Sequence, residues 1–243
     1  MIPYYPQPLI PVGRWLIPAF AVTTALAIAV GRWVLLRRAR RLGIPREVIA
    51  PLYLCAGLAG IAGALAGPLL RSEGGLTSLG GEVGAAVAGL LYCRFRGYSY
   101  ERTLCLFDVL TFGGTFAAAI GRIGCALAHE HQGILSNGWL AVRYPEGSRY
   151  DLGLIDFLFL VALCAAFCWL DRRPRPAGFF VFTGVIAYSA FRVLRVELEV
   201  ETQVLGWVAI LVASLCGVLL RQALLRRCGS EMLSAPDLSG SAR

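Results

Sequence analysis

The sequence predicts an all-α, polytopic membrane protein of about seven transmembrane helices, with its N-terminus on the periplasmic side and its C-terminus in the cytoplasm. Three observations carry that expectation. Hydrophobic residues make up 57% of the 243 positions against 16% charged, and mean hydropathy is +0.66, which lies outside the range of soluble globular domains. Several apolar runs approach the roughly 20 residues that a helix needs to cross a hydrocarbon core of about 30 Å. Arginines gather after every second run, as the retention of basic loops in the cytoplasm demands. The net charge of +8 comes from arginine with no lysine, clustered at the ends of apolar runs. That placement reads as a topology signal and gives no reason to expect nucleic acid as a partner.

Taken in order, residues 15–36 and 48–70 qualify outright as spans. Shorter or interrupted runs at 78–93, 104–120, 152–170, 179–191 and 204–220 supply five more. The first run is too long for a signal-peptide core and lacks an A-x-A-like cleavage site, so it is expected to remain as a span. Arg37, Arg38, Arg40 and Arg41 follow the first run, and Arg94, Arg96 and Arg102 the third. Arg172, Arg173 and Arg175 follow the fifth; Arg221, Arg226 and Arg227 follow the seventh. Each odd span therefore ends in a basic loop. The outer face then receives the segments 71–75, 122–151 and 197–203, which hold most of the remaining polar chemistry. Residues 1–227 form a single membrane domain, and the Ser-, Ala-, Gly- and Asp-rich stretch 228–243 is expected to be a disordered cytoplasmic tail.

Eight cysteines lie at 55, 93, 105, 125, 164, 168, 216 and 228, mostly inside apolar runs and without C-x-x-C spacing. They read as small packing residues, and no metal or other cofactor is expected. Gly60 and Ala64 stand at small-xxx-small spacing, which permits close helix packing. Glu82 and Asp108 fall within spans. Each either faces a cavity, caps a helix or pairs with a loop arginine.

The chemistry concentrates in GRIGCALAHEHQG from Gly121 to Gly133, at the outer end of the fourth span. Ionisable residues at membrane depth are expensive and tend to mark function. A helix continued through this stretch puts residues 122, 126 and 129 or 130 on one face. Arg122 and Glu130 then either converge on a site or pair with each other.

This segment resembles the signature of the bacterial prolipoprotein diacylglyceryl transferases, G-R-x-G-N-F-x-N-x-E-x-x-G, at Gly121, Arg122, Gly124, Glu130 and Gly133. Cys125 and Ala128 stand where the family has asparagine, and Ala126 where it has phenylalanine. Upstream, GGLTSLGG from Gly74 to Gly81 is similar to the family's G-G-M-S-F-H-G-G, with Gly80 and Gly81 aligned and Leu79 in place of the histidine. Arg14 and Trp15 resemble the start of its R-W-Y-G, and Tyr150 with Asp151 its Tyr-Glu after the outer loop. In the sixth span the family places Tyr, Arg and Glu at intervals of four. Tyr188 and Arg192 fit, followed by Val196; a register three residues on pairs Arg195 with Glu199 and puts Phe191 at the tyrosine.

The resemblance implies transfer of the diacylglyceryl group of phosphatidylglycerol to the thiol of a lipobox cysteine in a prolipoprotein, forming a thioether and releasing glycerol phosphate at the periplasmic face of the inner membrane. Arginine suits the departing phosphate because its planar fork binds two oxygens at once. Arg122, with Arg192 or Arg195, is expected to do this, aided by Tyr188 and the glycines 80, 81, 121, 124 and 133. A thiol with a pKa of about 8.5 also needs activation. With leucine at 79, that task is expected to fall to a signature histidine, His129 in the first place or His131, oriented by Glu130. The alternative is a family-derived membrane protein that binds anionic lipid or prolipoprotein without catalysing transfer.

Overall fold

The computed structural model describes residues 1–70, 77–198 and 206–218. Among these the chain forms six main helices: α1 (Ala19–Arg41), α2 (Arg46–Leu70), α3 (Ser78–Phe95), α4 (Tyr100–Ala128), α5 (Leu152–Leu170) and α6 (Phe179–Leu194). A short 3-10 turn, Arg195–Leu198, continues α6, and a seventh helix, α7, covers Gly206–Val218. Five helices are long and apolar enough to cross a membrane: α1, α2, α4, α5, and α6 with its 3-10 extension. The expected loops 71–75 and most of 197–203, Glu199, Arg221, Arg226, Arg227 and the tail 228–243 lie outside the described residues.

The helix boundaries follow local chemistry. The first span was expected from residue 15, but Trp15–Pro18 is a strand and α1 starts only after Pro18, whose backbone is extended (φ −65°, ψ 141°). Proline fixes φ and offers no N–H to a preceding turn. At the other end α1 runs on through its arginines to Arg41 and stops before Gly43 (φ +67°), a conformation that favours glycine. Ser99 caps α4 by accepting from the Arg102 N–H at 3.3 Å, and Asp151 caps α5 by accepting from the Leu154 N–H at 3.0 Å.

The cap of α6 is long-range. Gly178, just before α6, has a left-handed backbone (φ +88°), and its side chain has nothing to offer the helix. The Asp108 carboxylate of α4 instead accepts from the N–H groups of Gly178 and Val181, both at 2.8 Å. Of the roles open to Asp108, helix capping is the one observed.

Small residues set the closest approaches. A Cβ on Gly63 would collide with the Gly80 carbonyl, and one on Gly84 would lie 2.5 Å from the Ala59 carbonyl, so α2 and α3 touch backbone to backbone. Gly60 and Ala64 join the same seam opposite Gly81. Gly113 brings α4 against Gly31 and Leu35 of α1 in the same way.

The apolar core orders the helix ends. Leu35, Ala39, Ile49, Leu52, Cys93, Leu106 and Val109 form one buried cluster. That cluster joins the C-terminal ends of α1 and α3 to the starts of α2 and α4. Arg38, stacked between the rings of Phe112 and Phe180 at 4.4 and 4.3 Å, forms an ion pair with Asp171 at the end of α5. The basic ends of α1, α3 and α5 thus gather at one end of the bundle.

The opposite end carries what the all-α expectation lacked. Strands β1 (Ile2–Pro3), β4 (Gln132–Leu135), β5 (Ala141–Tyr144) and β6 (Gly147–Asp151) make a four-stranded sheet in the order β1-β5-β6-β4. Only the β1 to β5 pairing is parallel. Strands β2 (Leu9–Val12) and β3 (Trp15–Pro18) form a separate hairpin that turns at Gly13 (φ +59°). These strands are two to five residues long, too short for a period-2 pattern to stand out in an apolar sequence.

Candidate active site

The 29 residues of α4 extend about 44 Å at 1.5 Å per residue. That exceeds the hydrocarbon thickness of about 30 Å. The first eight residues of the signature, Gly121 to Ala128, therefore form the last two turns of α4 at the end remote from the basic loops. His129 closes the helix in the left-handed conformation (φ +55°). Because the helix ends at Ala128, Glu130 leaves the helical face that it was expected to share with Arg122.

Arg122 points to a fully buried carboxylate, Asp156 of α5. Its Nε lies 3.2 Å from Asp156 Oδ2, and its Nη2 donates to the Tyr188 hydroxyl at 3.1 Å. Arg192 Nη1 reaches the same Oδ2 at 3.4 Å, and Arg195 Nε reaches Oδ1 at 3.0 Å. Three guanidinium groups, from α4, α6 and the turn after α6, thus meet one carboxylate. Glu82 of α3 is within electrostatic reach of Arg122 and Arg192, which lie in α4 and α6 and not in a loop. The indole of Trp207 lies 5.0 Å from the Arg192 guanidinium and edge-on to Tyr188. Of the four expected residues here, Arg122, Tyr188, Arg192 and Arg195, all converge. Both candidate registers of the sixth span place an arginine on Asp156.

The two histidines part company at the left-handed turn. His129 Nδ1 lies 2.9 Å from Asp151 Oδ2 and 3.2 Å from the Tyr144 hydroxyl, and its Nε2 lies 2.9 Å from the Tyr5 carbonyl. The Tyr4 ring packs beside it at 4.8 Å. Its partners belong to the sheet and the N-terminal segment. His131 instead faces the field of Arg122, Arg192, Arg195 and Asp156. Burial first, then the charge of Arg122, holds its imidazole below the ordinary histidine range. Ligand atoms of Cys125, Glu130 and His131 all lie within 4.8 Å of one another, and Cys125 interacts with Arg122.

The glycines sort by what surrounds them. A Cβ on Gly121 would meet nothing within 4 Å. On Gly124 it would strike Thr23 of α1. On Gly133 it would lie 2.6 Å from the Leu198 carbonyl, so this glycine seats β4 against the turn that bears Arg195. Gly80 and Gly81 face the backbone of α2. Leu79 packs on Gly206, the neighbour of Trp207.

Asp156 was not singled out from the sequence. Its signal was present: it is one acid in a helix of mean hydropathy 2.3, and an intramembrane carboxylate calls for a partner.

These features define a class: a helical membrane protein with a buried arginine and carboxylate cluster at one end of its bundle. The sequence pattern of the family described as "Prolipoprotein diacylglyceryl transferase" matches residues 7–225, and the chain belongs to that family. It is similar to the phosphatidylglycerol–prolipoprotein diacylglyceryl transferase of Bacillus cytotoxicus, 25% identical over 84% of this chain and 85% of that protein. The protein of that name from Chromohalobacter salexigens is 28% identical over 67% of this chain and 68% of its own. The one from Dehalococcoides mccartyi is 29% identical over 52% of this chain, and the match spans half of that relative's length.

Proposed function

We propose that this protein transfers the diacylglyceryl group of phosphatidylglycerol to the lipobox cysteine of a prolipoprotein, working from the periplasmic face of a bacterial inner membrane. The observation that carries the reading is the convergence of Arg122, Arg192 and Arg195 on Asp156. Such a cluster suits a lipid phosphate because each fork is oriented before the ligand arrives, Arg122 by Asp156 and Tyr188. Arg122 binds the phosphate and stabilises the charge that grows on it as the glyceryl carbon–oxygen bond breaks. Arg192 and Arg195 hold the other side of the headgroup, and Tyr188 fixes the plane of Arg122. Gly121, with open space beside it, borders the lipid; Gly80, Gly81, Gly124 and Gly133 let the helices and strands close around the site.

Thiol activation falls to the edge formed by Glu130 and His131. His129 braces the sheet and acts on the site through the turn. The membrane carries seven spans, counting α3 and α7 with the five long helices, the N-terminus outside and the C-terminal tail in the cytoplasm. The basic helix ends gathered away from Arg122 support that orientation.

The test is reconstitution with phosphatidylglycerol and a lipobox peptide, with the thioether read by mass. The parent chain is expected to give product, and Arg122→Ala to lower the rate about a hundredfold or more. A folded parent chain without product defeats the proposal. One observation favours a second reading, an anion-lipid-binding protein that does not catalyse: Leu79, packed on Gly206, stands where the family carries histidine. It predicts selective phosphatidylglycerol binding with no thioether.

A further inference from the structure

We infer that Cys125, Glu130 and His131 form a site for a thiophilic divalent cation of the zinc type, whose open position takes the thiol of the acceptor cysteine. The second half of this inference rests on the transferase reading; the metal site does not.

The donor set is the first argument. One thiolate, one imidazole and one carboxylate are the ligand types that zinc prefers, and three protein ligands with a vacant fourth position characterise catalytic zinc rather than structural zinc. The second argument is geometry. Residues 125, 130 and 131 fall on no common helical face, and their sequence spacing matches no metal motif. They meet because α4 ends at Ala128 and His129 adopts φ +55°, which turns the chain back over the last helical turn. Donor atoms in a tetrahedral zinc site stand roughly 3.3–3.8 Å apart, given bonds of about 2.0–2.3 Å. Donors here, all within 4.8 Å of one another, need only a small approach, and the exposed Glu130 side chain is free to supply it.

The third argument is location. Cys125 also interacts with Arg122, which is itself fixed by Asp156 and Tyr188. A cation at Cys125 therefore adjoins the proposed phosphate site, as an acceptor thiol must. Coordination deprotonates a thiol outright. This solves the problem set by Leu79, which can neither take nor give a proton.

The step balances as follows. The acceptor S–H binds the cation and loses its proton to solvent. The coordinated sulfur attacks the glyceryl carbon next to the phosphate, and a carbon–sulfur bond forms. The carbon–oxygen bond breaks with its electron pair remaining on oxygen, and glycerol phosphate leaves against Arg122. The thioether, a weaker ligand than thiolate, then dissociates from the metal.

The experiment uses the full chain in phosphatidylglycerol-containing nanodiscs, stripped of metal by chelator and titrated with cobalt(II). Thiolate-to-cobalt charge-transfer absorption saturating at one equivalent is expected. It should be lost in Cys125→Ser and in His131→Ala, weakened in Glu130→Gln, and retained in Cys168→Ser, which removes an exposed thiol outside the site. Circular dichroism and gel filtration confirm that each variant is folded. A cysteine-bearing lipobox peptide should increase the absorption, and its serine counterpart should not. Absorption that survives Cys125→Ser, or never reaches one equivalent, overturns the metal site. If transfer proceeds undiminished in chelator, the inference fails and the transferase reading stands. One tightly bound equivalent with no transfer supports the metal site and defeats the transferase reading.

Discussion

At the scale of the residue, Asp156 decides more than any group named from the sequence. Its carboxylate is buried at the junction of three helical elements, and removing one partner of a buried ionic network leaves the others uncompensated. Asp156→Asn keeps the shape and deletes the charge, so it is expected to cost about 3–5 kcal/mol of stability and to abolish transfer. Asp156→Glu should recover part of both. Thermal unfolding in detergent with a transfer assay checks this, and an Asp156→Asn variant that melts and reacts like the parent refutes the clamp. The arginines around Asp156 were legible because charge in an apolar chain stands out. Asp156 stands out by the same rule, but it lies in none of the segments that resemble the family's motifs. The histidines show a different limit: two residues apart, they face opposite ways because of one left-handed φ that no spacing rule foretells. Tyr144, on the His129 side, adds a pH test. Burial, then its hydrogen bond to Asp151, holds its phenol above the ordinary tyrosine range. The folded chain therefore keeps a proton that the unfolded chain releases above about pH 10. Stability is full below that pH and declines above it. Melting curves from about pH 8 to about pH 11 should show the decline in the parent and a shallower one in Tyr144→Phe.

At the scale of the element, helices read well from sequence and their terminations read poorly. Spans two to six were placed to within a few residues at most of their ends, except that α4 runs eight residues beyond the expected end at 120. Apolar content marks the part of a helix that lipid covers, whereas the end is set by caps. The cap on α6 comes from Asp108, some seventy residues upstream, which no local pattern contains. Asp108→Ala is expected to lose about 1–2 kcal/mol by orphaning two N–H groups at the start of α6, measured as a lowered melting temperature. Lipid binding at the far end of the bundle should be unchanged. The signature glycines give a second contrast at this scale. Gly121→Ala has room and gains helix propensity, so it should be as stable as the parent or up to about 1 kcal/mol more stable. Gly133→Ala meets the Leu198 carbonyl, a backbone atom that moves only with its turn. It should displace Arg195 and lower both stability and transfer. Equal behaviour of the two variants in unfolding and assay contradicts this account.

At the scale of the whole molecule, the alternation of arginine clusters was the most informative feature of the sequence, because it is a collective property that no single substitution blurs. The fold gives it a physical form: Arg38 and Arg41 meet Asp171 at one end of the bundle, while Arg122, Arg192 and Arg195 lie at the other. The short sheet that covers the second end was invisible for the opposite reason, since its strands are brief and its pairings join residues 2 and 142. The two ends differ in kind. The first set closes the C-terminal end of α1, whereas the second is internal and held by Asp156, so only the first is placed to act as a topology signal. A prediction follows for sidedness. Glu146, exposed at the tip of the β5 to β6 hairpin, should lie outside, and Arg173, exposed in the loop after α5, should lie inside. In spheroplasts a membrane-impermeant maleimide is expected to label Glu146→Cys above the parent's background, and Arg173→Cys only after permeabilisation. The reverse pattern would put Arg122 and its neighbours in the cytoplasm. An acceptor thiol delivered on the outer face would then never meet them, and the proposed reaction would fail on geometry before any question of chemistry arose.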